Sequence, residues 1–184
     1  STEEIPVGFV GTSLLESTNE FVPFRRSLES STDPAAQRLR ELVDRCLEAQ
    51  REELTDFLLP ARLEALEREL RVHVISEGWT DPKWEFVMTL AKESARDHRL
   101  AVCRALAPLG LSVWGPTDWG DALEPGMEYS GAAPYPGGAL QAYRSCAVNL
   151  NITRIYAGDA VPTRVWDVLA CGGFLISDFR PELL

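Results

Sequence analysis

Residues 159–179 read D-A-V-P-T-R-V-W-D-V-L-A-C-G-G-F-L-I-S-D-F, and this stretch decides the fold. Pro162 suits the first helical position, where its missing N–H would be unsatisfied anyway and its fixed φ fits a helix. Gly172 and Gly173 supply the positive-φ positions that close a short helix. Phe174-Leu175-Ile176 then runs apolar into Ser177-Asp178, which predicts a strand buried on both faces. A helix entering a buried strand through two glycines is half of an α/β unit. Asp167 is the unusual residue inside it, because Asp is a poor former of helix interiors. Lying about a turn from the helix start, its charge gains about 0.3–1 kcal/mol from the dipole. An i, i+3 pair with Arg164, contributing about 0.2–0.5 kcal/mol, is the plainer account of the same residue.

The same rhythm runs upstream. Val7–Val10 predicts a short strand, and Gly11-Thr12-Ser13 a tight turn after it. A strand, a glycine turn bearing hydroxyls and a following helix is a layout that cradles phosphate, although G-F-V-G-T-S carries no G-x-G-x-x-G and no Walker lysine. Apolar residues recur at three and four over 35–59 (Leu39, Leu42, Val43, Cys46, Leu47, Leu54, Phe57, Leu58), predicting an amphipathic helix. Pro60 breaks that pattern or starts the next piece, and Leu63, Leu66 and Leu70 carry it on to about Val72. Asp81-Pro82 opens another helix with Trp84, Val87, Met88 and Ala91 on one face, a stripe that reads as core. From Asp97 the α/β rhythm takes over. A helix through Leu100, Cys103, Leu106 and Ala107 ends at Gly110, and Leu111–Gly115 is a strand and turn. A Pro/Gly-rich loop over 115–127 is flexible or functional. Tyr129–Ala132 is a short strand, Ala139–Ser145 a helix, and Ala147–Asn151 an alternating strand. Repeated helix-then-strand with short links means a parallel sheet covered on both faces. The expected fold class is therefore α/β, Rossmann-like, with a helical insertion over 35–95 inside a single 184-residue domain. Because the pattern breaks off where another helix and strand should follow, the chain is expected to be a piece of a longer protein.

Composition narrows the function. A net charge of −10 leaves no basic surplus to displace counterions, which argues against a general nucleic-acid binder. It leaves room for one small anion held by helix N-termini and a few arginines. No apolar run long enough to span a membrane and no signal segment opens the chain, so the expectation is a cytoplasmic protein. The four cysteines (Cys46, Cys103, Cys146, Cys171) show no C-x-x-C spacing and read as reduced thiols. His73 and His98 stand apart from any cysteine or carboxylate cluster and give no metal or triad signal.

With these residues in view the chain shows a resemblance. Asp159 and Asp167, with seven residues between them, bracket Pro162-Thr163-Arg164 and precede Ala170-Cys171-Gly172-Gly173. This is similar to the donor-side motif of GT-B glycosyltransferases, in which two acidic residues lead into A-C-G. The longer pattern V-N-L-N…P-T-R-V-W-D-V-L-A-C-G-G-F-L-I-S-D most resembles the spore-maturation CgeB-like group of bacterial enzymes. Val7–Gly11, Leu111–Gly115 and Leu140–Asn151 agree with it, whereas 30–95 contributes little.

The resemblance implies half of a GT-B architecture, namely the C-terminal domain that binds a nucleoside diphosphate sugar at the carboxyl ends of its strands. It implies that Asp167 accepts hydrogen bonds from the ribose diol and that Asp159 lies near the sugar and phosphates. Thr163 and Arg164 would stand at the helix N-terminus beside the diphosphate. Gly11 and Thr12 match the first glycine turn, and the loop from Gly131 to Tyr135 matches the one that meets the base. Tyr135 is a candidate stacking surface. The implied activity is a glycosyltransferase of hexosyltransferase type, passing a sugar to an acceptor hydroxyl, with no metal or other cofactor and no assigned catalytic group. The implied partners are the donor nucleotide and an acceptor-binding domain of the same chain, without which the fragment should turn over little. The rival expectation is a non-catalytic α/β interaction or regulatory module whose working face is the amphipathic 35–72 segment.

Overall fold

The structure, a computed structural model, describes residues 5–15, 21–74, 81–158, 160–179 and 183. In chain order its elements are β1 (Ile5–Val10), α1 (Phe21–Ser30), α2 (Pro34–Glu52), α3 (Leu59–Leu70), α4 (Pro82–Leu106), β2 (Leu111–Trp114), β3 (Met127–Tyr129), α5 (Gly137–Ser145), β4 (Cys146–Asn151), α6 (Thr163–Ala170) and β5 (Leu175–Ser177). They fall into two compact units. One comprises Ser1–Ser17, Arg96–Thr153 and Asp159–Leu184, the other Thr18–Ala95 and Arg154–Gly158.

The first unit is a five-stranded sheet in the order β3-β2-β1-β4-β5, with every pairing parallel. That is the order of the doubly wound, Rossmann-like fold, with β1 at the centre. Successive side chains of a strand alternate between faces, so the sheet needs cover on both. Val7 and Phe9 lie in register with Leu111 and Val113, and this face packs with Leu150 against Leu100 and Cys103 of α4. Val10 and Trp114, one residue out of phase, turn to the other face, where Ala142 and Tyr143 of α5 and Val168 of α6 cover them. Each fully buried Leu, Val or Phe contributes about 1.5–3 kcal/mol. The α/β reading therefore holds, with helices on both faces of a parallel sheet.

The second unit is helical. Asp33 caps α2 by accepting from Ala35 N at 2.9 Å, with Pro34 in the first turn. Leu42, Val43 and Cys46 of α2 pack with Leu59 and Leu63 of α3 and Leu90 of α4, all at most 1% exposed. The apolar face of the 35–72 segment packs within its own unit, with Leu42 and Leu47 both buried.

Several expectations are corrected. The helix expected over 35–59 stops at Glu52, because the buried Gln50 amide donates to the carbonyls of Glu53 and Asp56 (2.6 and 2.9 Å) and accepts from Leu58 N (2.9 Å). Leu54 in the linking turn is 48% exposed, and Trp84, expected in the core stripe, is 50% exposed. Pro60 starts α3. No break falls at Asp97, since nothing between 82 and 106 interrupts helical hydrogen bonding, and α4 is one helix. The 115–127 loop contains a 3-10 segment, Thr117–Ala122, anchored by a fully buried Trp119. β3 lies two residues earlier than expected. Gly172 takes a positive φ of 73° but Gly173 does not. The expected double burial of β5 is not seen: among the described residues it is the last strand on its side of the sheet, and Ile176 is 51% exposed. Among the described residues no helix is long and apolar enough to cross a membrane.

Candidate functional site

The strand order reverses between β1 and β4, since the chain leaves β1 for β2 on one side and later returns to β4 on the other. In open α/β sheets the carboxyl ends of strands at such a point frame the ligand site. Gly11-Thr12-Ser13 follows β1 there. Gly11 N donates to Trp114 O (2.8 Å), and Gly11 O accepts from the buried Trp119 Nε1 (2.7 Å). Gly115 backs onto the Gly11 carbonyl so closely that a Cβ would overlap it, and its N–H donates to Gly131 O at 3.0 Å. The carboxyl ends of β1, β2 and β3 thus form a rim of three glycines.

Arg99 of α4, 3% exposed, donates to Thr12 O (2.7 Å) and Ile152 O (3.2 Å), tying the segment after β1 to the segment after β4. Ser13 Oγ, fully buried, donates to Asp118 Oδ2 at 2.6 Å and fixes the far side of the turn. Thr12 Oγ1 accepts from Leu14 N (2.9 Å), an ordinary side-chain turn.

Arg164 arrives at the same place from the first turn of α6. Its guanidinium carbon lies 4.8 Å from the Phe9 ring centroid, with Arg99 at 5.2 Å from the same ring. Its Nη1 donates to Asn151 Oδ1 at 3.1 Å, and its Nη2 lies 2.9 Å from where a Cβ on Gly11 would stand. Two guanidiniums on one buried ring, each contact contributing about 0.5–2 kcal/mol, hold positive charge at the switch point of an acidic chain. Pro162 occupies the N-cap of α6, where its carbonyl accepts from Val165 N at 3.0 Å, and among the described residues no side chain caps that helix.

Of the residues expected in the site, Gly11, Thr12 and Arg164 come together. Thr163 is the exposed first residue of α6. Asp167 is half-buried one turn along the helix, and among the described residues its carboxylate has no hydrogen-bond or ion-pair partner. The Arg164–Asp167 pair considered above does not form, because Arg164 turns to Phe9 and Asn151. Gly131, with a φ of 98°, stands after β3. Tyr135 is 67% exposed and makes no aromatic contact among the described residues. Asp159 lies outside the described residues.

Several residues here were not singled out in the sequence: Arg99, Tyr143, Asn151, Thr153 and Asp178. Tyr143 lies between α5 and α6. Burial pushes its phenol upward, Arg164 opposes that shift and Asp167 adds to it. Asn149 and Asn151 were legible in one respect: Asn is depleted in strands, and two of them alternating in an otherwise apolar one mark polar partners on one face. Asn149 Nδ2 donates to Tyr143 O at 3.0 Å. Among the described residues no three His, Cys, Asp or Glu side chains group as metal ligands would.

Comparison with known proteins is informative for this half of the chain. Residues 96–184 match the family model described as glycosyl transferase-like. No curated protein and no solved structure matches the chain. The matched segment contains Arg99, Asn151, Arg164, Asp167 and Asp178, and it supports glycosyl transfer as the general chemistry.

Proposed function

We propose that the chain is the donor-binding part of a GT-B glycosyltransferase, moving a sugar from a nucleoside diphosphate carrier to an acceptor hydroxyl. One observation carries this reading. Arg164 of the α6 first turn and Gly11 of the β1 turn, far apart in sequence, meet where the strand order reverses. A glycine there lets a phosphate approach the backbone, and a guanidinium matches phosphate oxygens with a planar pair of donors.

In this reading the diphosphate lies between the β1 turn and the N-terminus of α6. Arg164 and the first-turn amides stabilise the negative charge that develops on the leaving diphosphate as the glycosidic bond breaks. Asp167, one turn deeper on the same helix and without a protein partner among the described residues, accepts both hydroxyls of the ribose diol. Thr163 adds a hydroxyl at the phosphate end. Asp159 is assigned to the sugar side on the CgeB-like resemblance alone, as is the base-facing loop from Gly131 to Tyr135. Hexosyl transfer without a metal, a cytoplasmic setting and an acceptor-binding domain in the same chain belong to the same proposal.

Isothermal titration with UDP and GDP tests it. Heat of binding is expected for at least one, and Asp167→Ala is expected to abolish it with little change in melting temperature. No heat for any nucleoside diphosphate at millimolar ligand would remove the reading.

A further inference from the structure

We infer that Asp178 is a positioning residue for Arg164, acting through Ser177, Thr153 and Asn151; this rests on the nucleotide-binding reading for its functional consequence but not for its geometry. Thr153 Oγ1 (2.9 Å) and Ser177 Oγ (3.2 Å) both reach Asp178 Oδ1, while Thr153 N donates to Oδ2 at 2.9 Å. A carboxylate only accepts, so each hydroxyl spends its single proton on Asp178. Both hydroxyls are left as acceptors. The Asn151 amide supplies their donors, Nδ2 lying 2.9 Å from Ser177 Oγ and 3.2 Å from Thr153 Oγ1. With its NH2 committed to that side, Asn151 must turn its carbonyl oxygen the other way, and Arg164 Nη1 meets it at 3.1 Å. Asn151 and Thr153 are 2% and 3% exposed, so water does not offer them alternatives.

Hydrogen-bond direction thus runs one way from the guanidinium to the carboxylate, and Asp178 sets it. An asparagine at 178 cannot replace it. Oδ1 and Oδ2 both act as acceptors, and an amide has one acceptor oxygen. Its NH2 would face Thr153 N–H or free the hydroxyl protons to point at Asn151, whose amide would then present NH2 to Arg164.

The test uses the full chain and two readouts. In the first, UDP and GDP affinities are compared for wild type, Asp178→Asn, Arg164→Ala and the double variant. Asp178→Asn is expected to weaken binding at least tenfold, and the double variant to bind no more weakly than Arg164→Ala. Losses that multiply would overturn the inference. The second readout is ligand-free: the side-chain N–H signals of Arg164 and Asn151 in nitrogen-15 spectra should shift in Asp178→Asn. Unchanged signals would overturn the inference even if wild type bound nucleotide. If wild type bound no nucleotide, the function above would fail while these signals still decided this point. Should Asp178→Asn not fold, Ser177→Ala removes one acceptor from Asn151 and should shift the same signals by less; no shift would again overturn it.

Discussion

Gly11 shows how much of the site rests on the absence of one carbon. A Cβ there would lie 2.9 Å from Arg164 Nη2 and from the Phe9 ring, so Gly11→Ala must move the guanidinium or the ring. Arginine is the more mobile of the two. Gly11→Ala is therefore expected to cost about 1 kcal/mol in stability but more than tenfold in nucleoside diphosphate affinity, a split that thermal denaturation and titration calorimetry separate. Gly115 meets backbone instead: its Cβ would overlap the Gly11 carbonyl, which has no side-chain freedom to yield. Gly115→Ala is expected to cost about 2–3 kcal/mol by overpacking, read as a lower melting temperature. The cysteines give a contrasting case of chemistry suppressed by packing. Burial pushes the thiols of Cys46 and Cys103 up to about 11 and raises that of Cys146. Only Cys171 among the four is not buried. Brief treatment of the native protein with iodoacetamide is expected to modify Cys171 alone, the other three reacting only after unfolding, as intact mass will report.

At the level of elements, α3 and α4 are joined by a charged contact whose pH dependence can be worked out. Glu67, 7% exposed, accepts from Lys83 Nζ at 2.6 Å and from Val74 N at 2.9 Å. Burial is the largest single influence and pushes the carboxyl upward, but Lys83 and the Val74 amide together outweigh it and the net shift is down. A depressed carboxylate contributes stability that is fully present above its unfolded value, near 4.5, and is lost as pH falls through the lower folded one. Lys83, raised chiefly by its hydrogen bond to Glu67, contributes below its ordinary 10.5 and loses that only at higher pH. Glu67→Gln is expected to lower the unfolding free energy by about 1–2 kcal/mol at neutral pH, and the gap to wild type should close as pH falls below the ordinary carboxylate range and through the depressed folded value. Denaturant melts across pH will follow it. The elements also show what patterning encodes. β1, β2, β4, α5 and α6 were legible because apolar runs and Gly or Pro punctuation mark them locally. The exposure of Phe174 and Ile176 was not, since Phe174-Leu175-Ile176 carries the composition of a central strand and only the sheet order shows where β5 lies among the described strands. The continuity of α4 was missed for the opposite reason: a change in what surrounds a helix was taken for a break in it. In the site, Gly11 and Arg164 were legible as local motifs, whereas Arg99, Asn151 and Asp178 gain their meaning only when non-adjacent strand ends are brought side by side.

Across the whole molecule, the net charge of −10 opposes the anion that the site is proposed to hold. The two effects act over different distances. Repulsion of a nucleoside diphosphate by the acidic surface is long-ranged and is screened beyond a Debye length of about 8–10 Å at physiological salt. Attraction to Arg164, seated on a buried ring and hydrogen-bonded to Asn151, is short-ranged and screened far less. Raising ionic strength from about 50 to 200 mM should therefore weaken the repulsive field first. The association rate for UDP or GDP is expected to rise modestly with salt, and the affinity to change by less than about threefold, because few condensed counterions are released. A nucleic-acid binder with several phosphate contacts would behave oppositely, losing about 10³-fold or more in affinity over that range. Stopped-flow association at constant pH, with sodium chloride varied, measures the sign directly. A rate that falls steeply with salt would mean that positive potential extends well beyond Arg164 and Arg99, and the picture of a small cationic site set in a repelling surface would have to be replaced.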